Sequence, residues 1–495
     1  MYRFLAYFGF IGFCVLIVFY SLNKAEKATP PNVLFIAIDD LRPSLGCYGN
    51  EEVHSPVMDQ LAAEGALFLN HFTQVPTCGP SRHCLLTGNR PRNRAELRNN
   101  IFEETIAKAT SVGAVPESFV HLLRQNDYHT VGIGKISHSA DGLVYGYEDS
   151  VSSVKEMPYS WDEFLFDAGK WQTGWNAFFA YANGENRQSL KKEVAPYEKA
   201  AVDDQGYPDG LTANLAIQKL KELKQKDKPF FMGVGFFKPH LPFNAPEKYW
   251  DLYERDSLSI SPNPYVPQNI DKLSLHASGE FNQYKLGEEK ASLEQVVSDE
   301  YARKLHHAYY ACISYVDAQL GRVLDELEAQ GLAENTIIVL WGDHGWHLGD
   351  QRVWGKHTIF ENALRSSLIV KLPQQPQQGL IVPTIVETVD IYPTLMELCG
   401  IEVQHPIDGE SFASLLRKPE EEAASTHAYG YFRNGITLRT DQYRLTKYFR
   451  EAMPTVELYD HSNDPQESLN IAADNPEIVA QLMPLLDAGD TGLYQ

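Results

Sequence analysis

The run Val33–Ile38 is apolar at every position and stops at Asp39 and Asp40. A strand with no alternation toward water must be covered on both faces, which restricts the fold to a sheet sandwiched between other layers. The pattern returns late in the chain, where Thr336 to Trp341 runs through Gly342 into Asp343 and His344. Adjacent carboxylates at the end of a buried strand repel each other and are costly to desolvate unless a cation or a paired base neutralises them. For Asp39 and Asp40 alone, a helix N-cap beside one solvated acid accounts for the pair equally well. Two such strands ending at one sheet edge would gather three carboxylates and an imidazole. That oxygen-rich set suits Ca²⁺ or Mg²⁺, while the histidine leaves Mn²⁺ or Zn²⁺ open.

Other short apolar runs, Thr130–Ile133, Pro229–Phe236 and Leu368–Leu372, are separated by helical stretches at Glu117–Arg124 and Leu211–Leu223. The clearest helix covers Asp299 to Gln330, with Leu305, Cys312, Val316, Leu320, Val323 and Leu327 at helical spacings. The expected fold is α/β: a large, mostly parallel sheet flanked by helices, binding its ligand at the C-terminal ends of the strands. Aperiodic stretches at 138–210 and 262–290 read as long loops, the first able to wall a pocket. Beyond Ile401, Tyr429–Phe432, Gly435–Arg439 and Tyr443–Tyr448 read as antiparallel strands and Pro476–Met483 as a closing helix. This gives a main unit over 30–400 and a smaller α+β subdomain over 401–495.

With 43% hydrophobic residues the chain can bury a large core, which excludes disorder. A net charge of −22 disfavours nucleic acid and anionic lipid and requires any anionic substrate to find a local basic pocket. Six cysteines, none in a CxxC pair, are too few and too scattered to staple a fold of this size. Cys14 falls within Phe4 to Tyr20, an apolar run that follows Arg3. That run reads as an export signal over 1–29, either cleaved or retained as an N-terminal membrane anchor, so the protein is expected in the periplasm, secreted, or anchored facing outward.

One more segment carries chemistry. Cys78-Gly79-Pro80-Ser81-Arg82 reads as a turn opening a short helix that Gly88 ends, which places Cys78 where a helix N-terminus stabilises a thiolate. The pattern Cys78-x-Pro80-Ser81-Arg82-x3-Leu86-Thr87-Gly88 resembles the signature of the type I sulfatases, in which that cysteine is converted to Cα-formylglycine. The resemblance runs from Asn32 to the Glu457–Asp460 and Asp464–Glu467 segments. Within the family, Gly134-Lys135-Ile136-Ser137-His138, the run Phe237 to Phe243, and Asp343 to Gly349 with Lys356 resemble the iduronate-2-sulfatase branch.

The resemblance implies a reaction and a set of roles. One hydroxyl of hydrated formylglycine attacks the sulfur of a sulfate ester, and the other expels sulfate from the resulting sulfo-enzyme. Asp39, Asp40, Asp343 and His344 would bind the metal together with the modified Cys78, Ca²⁺ first, with Mg²⁺ or Mn²⁺ as alternatives. Arg82 would hold the formylglycine hydroxyl, Lys135 and Lys356 the sulfate oxygens. His138 would assist the nucleophile and His240 protonate the departing alcohol. His347 and His357 match no family role. The substrate class implied is a sulfated carbohydrate, such as a uronate-containing glycosaminoglycan or an algal glycan, and the partner a formylglycine-generating maturase. From Cys78 to Arg98 five arginines face one acid, Glu96, and Arg90 and Arg92 are candidates to bind a second anionic group. The alternatives are a phosphatase or phosphodiesterase of the alkaline-phosphatase superfamily, which uses Ser or Thr as nucleophile, and a sulfoglycan-binding protein without turnover.

Overall fold

The computed structural model describes residues 30–106, 115–375, 377–418, 426–451, 453 and 455–494. The N-terminal apolar run lies outside these residues. Eight strands form the main sheet: β1 (Asn32–Ile38), β2 (Ala66–Phe72), β3 (His129–Gly134), β4 (Glu163–Leu165), β5 (Phe230–Phe236), β6 (Thr336–Gly342), β7 (Leu368–Lys371) and β8 (Leu380–Glu387). Their spatial order is β8-β2-β7-β6-β1-β5-β3-β4. β1 is central and pairs in parallel with both β5 and β6, so Ile38 lies beside Phe236 on one side and Gly342 on the other.

The unbroken apolarity of β1 has the expected cause. Leu34, Ile36 and Ile38 enter one core with helices α1 (Pro56–Glu64), α4 (Pro208–Leu223) and α5 (Asp299–Ala329). Val33, Phe35 and Ala37 enter a second core on the opposite face with α2 (Cys78–Thr87), α3 (Phe119–Gln125) and α6 (Ile391–Leu398). The long helix starts where Ser298 accepts a hydrogen bond from the Tyr301 N–H, with Asp299 and Glu300 favouring the positive end of its dipole.

The sheet departs from the sequence reading at β7, which is antiparallel to both β6 and β2. An apolar run reports burial on both faces and says nothing of direction. β2 and β8 carry polar or proline residues that mask their strand character. Pro383 is tolerated because β8 is an edge strand whose register shifts between Val382 and Ile385. The C-terminal sheet has four antiparallel strands in chain order, β9 (His427–Phe432), β10 (Gly435–Thr440), β11 (Tyr443–Tyr448) and β12 (Thr455–Asp460), covered by α7 (Pro476–Ala488). β12 was not anticipated as a strand.

Candidate active site

Four parallel strands deliver side chains to one edge of the sheet. Asp39 and Asp40 follow β1, Lys135 follows β3, His240 follows β5, and Asp343 and His344 follow β6. Lys135 is turned inward by Gly134, whose φ is 70°, and its backbone fits against Gly235, where a Cβ would lie 2.1 Å from the Lys135 carbonyl oxygen. Asp40 also has positive φ, 60°, a strained conformation for a residue with a Cβ, held here because its N–H donates to Asp343 at 2.9 Å.

Cys78 is the first residue of α2, and Gly88 ends that helix in the left-handed conformation. The Cys78 Sγ lies 3.3 Å from Lys356 Nζ, 3.3 Å from His344 Nε2 and 4.0 Å from Asp40 Oδ1. The expected thiolate is not supported. Burial, with Asp39 next, pushes the Cys78 thiol well above its usual range, outweighing Lys135 and Lys356. The side chain as encoded is a poor nucleophile.

Around it sit permanent cations. Lys356 Nζ contacts Asp40 Oδ1 at 2.8 Å and Lys135 Nζ contacts Asp39 at 2.9 Å. Arg82 is fully buried; Nε donates to Asp343 at 3.0 Å, Nη2 to Asp39 at 3.3 Å, and Nη1 to the carbonyls of Lys135 and Ile136. Its hydrogen bonds go to the carboxylates and backbone rather than to Cys78, so it positions the acids. Burial alone would raise Asp39, but Lys135, His240 and Arg82 hold it well below the usual carboxylate range. Burial pushes Asp40 up to about 7 despite Lys356 and His344, with Asp39 and Glu280 adding repulsion.

A divalent cation fits this donor set. Ligand atoms of Asp39, Cys78, Asp343 and His344 lie within 4.8 Å of one another, and Asp39 Oδ2, which makes no directed hydrogen bond, has the Lys135 ammonium at 2.9 Å. The His344 Nδ1 faces the Gly345 carbonyl at 2.9 Å, which fixes its proton there and leaves Nε2 free as a ligand. Asp40 groups instead with Cys78 and His240.

His240 is held by its neighbours. Its Nδ1 donates to the Leu241 carbonyl at 2.6 Å, and Lys238 Nζ donates to the carbonyls of His240 and Pro242, pinning the turn. Its Nε2 lies 3.2 Å from Glu280 and 3.8 Å from Asp40. Cys78, His138, His240, Glu280 and Lys356 open onto one cleft of about 480 Å³. His138 packs on Trp175 with 5.2 Å between ring centres, and its Nδ1 has no partner.

Residues 31–401 match the Sulfatase family, and residues 342–488 match the C-terminal region of N-sulphoglucosamine sulphohydrolase. The chain belongs to the sulfatase family. It is 31% identical to a sulfatase of Formosa agariphila over 94% of this chain and 88% of that protein. It is also 31% identical to the iduronate 2-sulfatase of Homo sapiens over 81% of this chain and 75% of that protein. Among solved structures, the phosphonate monoester hydrolase SpPMH of Silicibacter pomeroyi superposes with a TM-score of 0.72 at 21% identity, covering 92% of this chain and 94% of that one. The fold is thus shared with a phosphonate hydrolase, while the sequence makes this protein a sulfatase that hydrolyses sulfuric esters.

In this sulfatase the residues singled out from motifs converge: Asp39, Asp40, Cys78, Arg82, Lys135, His138, His240, Asp343, His344 and Lys356 share one edge. Arg90 and Arg92 do not join them. Arg90 pairs with buried Glu387 and stacks on Tyr429, and Arg92 pairs with Asp408 at 2.9 Å. Nearness to Cys78 in sequence misled, because α2 carries the chain away from the cleft. Of the unassigned histidines, His357 lines the cleft and stacks on Phe432, whereas His347 is buried against Thr358. Four charged cleft residues were missed: Arg433 from the turn between β9 and β10, Glu280 from the 262–290 loop, and Arg187 and Lys192 from the 138–210 stretch. The two long segments have no periodicity to place a side chain, and the one available signal was that the longer was expected to wall a pocket.

Proposed function

We propose that this sulfatase removes O-sulfate groups from a sulfated carbohydrate, of the uronate-containing or algal type, with Cys78 converted to formylglycine by a maturase. One observation carries the reading: residue 78 opens α2 on the floor of the cleft, between Lys356 and His344, at a position where an unmodified thiol is held protonated. The similarity to iduronate 2-sulfatase supports a sugar sulfate as substrate.

Asp39, Asp40, Asp343 and His344 would hold a divalent cation, Ca²⁺ by their oxygen-rich character, which when bound neutralises the carboxylates and acidifies the attacking hydroxyl. The formylglycine diol supplies the oxygen that bonds to sulfur as the sugar alcohol leaves. Lys356, and Lys135 behind it, offer positive charge to the sulfate oxygens as charge shifts toward the leaving group. His240 donates its Nδ1–H to Leu241 and presents Nε2 to the cleft; once Nε2 is protonated, Glu280 at 3.2 Å from that atom stabilises the imidazolium from which the leaving alcohol takes its proton. His138, with Nδ1 free and the ring backed by Trp175, stands where it can take a proton from the diol. The reading also places the protein outside the cytoplasm, exported through residues 1–29.

Intact-mass analysis after co-expression with a maturase should show residue 78 converted, and ion chromatography should show sulfate released from sulfated oligosaccharides. Cys78→Ala should abolish release with the melting temperature preserved. An unconverted Cys78 in a protein that cleaves phosphate esters and no sulfate esters would overturn the reading.

A further inference from the structure

Arg187 is only 3% exposed and lines the same cleft as Cys78. Among the described residues the other buried arginines are answered by carboxylates: Arg82 by Asp39 and Asp343, Arg439 by Glu361, Arg444 by Glu361 and Glu467. Arg187 has none within 4 Å among the described residues. Its Nε donates to Gln188 at 3.1 Å, and its Cζ sits 3.6 Å from the Phe179 ring centre, with Tyr284 at 5.5 Å and Tyr147 at 6.0 Å. A guanidinium withdrawn from water without a counter-charge is unfavourable. Aromatic faces compensate in part and hold the planar group rigid, and the polar partners of its donors are the neutral side chains of Gln188 and Tyr284.

Two chains of contacts fix its place relative to the chemistry. Phe179 lies between Arg187 and the His240 ring, 6.4 Å from the latter. Tyr147 packs on Trp175 at 4.7 Å, and Trp175 backs His138. Arg187 is therefore one aromatic ring, Phe179, away from His240 and two, Tyr147 and Trp175, away from His138. Lys192, also on the cleft wall and without an ion pair among the described residues, donates its backbone N–H to the Arg187 carbonyl at 2.8 Å.

We propose that Arg187, supported by Lys192, forms a second anion subsite that selects substrates bearing a carboxylate or another sulfate beside the sulfate ester to be cleaved. The proposal rests on the sulfatase reading of the cleft and assigns to Arg187 the recognition first sought at Arg90 and Arg92.

The test compares wild type, Arg187→Gln and Arg187→Lys on four probes: 4-nitrophenyl sulfate, the methyl glycoside of a monosulfated hexuronic acid, its methyl ester, and a disulfated hexosamine. In Arg187→Gln, kcat/KM for the favoured two-anion probe relative to 4-nitrophenyl sulfate should fall about 10- to 100-fold, the value of charge-assisted bidentate bonding, and Arg187→Lys should recover only part of it. Loss confined to the hexuronic acid and absent from its methyl ester assigns a carboxylate; loss confined to the disulfated sugar assigns a sulfate. A ratio unchanged within about twofold in Arg187→Gln overturns the proposal. Calorimetric binding of the same sugars to Cys78→Ala, with and without Arg187→Gln, reads the subsite without turnover. Absence of sulfate release by wild type would then fault the hydrolytic reading, and equal binding with and without Arg187 would fault the subsite.

Discussion

Two buried charge networks of this protein use the same residue types to opposite ends. In the cleft, Asp39, Asp40, Asp343 and Glu280 have, among the described residues, Arg82, Lys135 and Lys356 as the permanent cations within 4 Å. Where the C-terminal sheet meets the main body, Glu361 and Glu467 face Arg439 and Arg444, with His461 3.0 Å from Glu467. Ligand atoms of Glu361, His461 and Glu467 converge as tightly as those in the cleft. There, however, the guanidiniums already occupy the place a cation would take, and both arginines lie over the Phe72 ring at 5.8 Å. Burial would raise Glu361, but Arg439, His461 and Arg444 hold it well below the carboxylate range. Convergence of acids alone does not make a metal site. The cation site proposed for the cleft rests on acids that outnumber their paired cations beside an opening, and the closed network is a clamp between two parts of the fold.

Exchanging the two kinds of damage would break this comparison. Asp40→Asn should lower sulfate release at least about 100-fold, as loss of a metal-site residue does, with the melting temperature nearly unchanged because Asp40 is already pushed up to about 7. Arg444→Met should do the reverse, lowering stability by about 3–5 kcal/mol because buried Glu467 would keep only His461 and Glu361 would lean on Arg439, with kcat little altered. Thermal melts and sulfate assays on both variants decide it. A large fall in melting temperature for Asp40→Asn with full activity for that protein would reverse the assignment.

A smaller effect separates the networks by ligand. Adding Ca²⁺ to chelator-treated protein should restore activity and raise stability by about 2.7 kcal/mol at a hundredfold excess over Kd. The stabilisation should survive Glu361→Gln and vanish in Asp40→Asn. Retention of the full shift in Asp40→Asn would place the bound ion elsewhere.

The cleft side of this contrast was largely legible in the sequence, and the clamp side was not. Asp39, Asp40, Asp343 and His344 stand directly after apolar runs, so strand direction carries them to one edge, and Cys78 lies in a contiguous motif. Lys135 follows a strand in the same way. Glu280, Arg187 and the Glu361–Arg444 pairing depend on contacts across long sequence separations, between segments whose local pattern marks them as loops or as one face of a small sheet. Arg90 shows the converse error. Its partner Glu387 lies at the end of an edge strand with a proline in it, so neither the strand nor the ion pair was visible, and a part-buried, paired arginine was read as a free one.

A further contrast, spread over several pH units, lies within the structural side. Glu457 on β12 is 2% exposed and has no lysine or arginine within 4 Å among the described residues; it accepts hydrogen bonds from Ser274 and from Tyr459, the latter at 2.9 Å. Burial pushes it up to about 7, with the bonds from Ser274 and Tyr459 and the charge of Arg450 opposing. Because this folded value exceeds the unfolded one of about 4.5, the folded chain binds the extra proton, and the stability that proton confers is complete below about pH 4.5 and lost as pH rises through about 7. Up to about 3 kcal/mol is at stake over that interval, at 1.36 kcal/mol per unit. Glu457→Gln keeps the shape and both neighbours and removes the titration. Its stability should therefore follow a flatter course than wild type between pH 4.5 and 7 and exceed it at pH 8. Superimposable pH profiles for the two proteins in denaturant melts would show that Glu457 stays charged when buried, and a carboxylate in this fold would then need neither a guanidinium nor a metal to be tolerated.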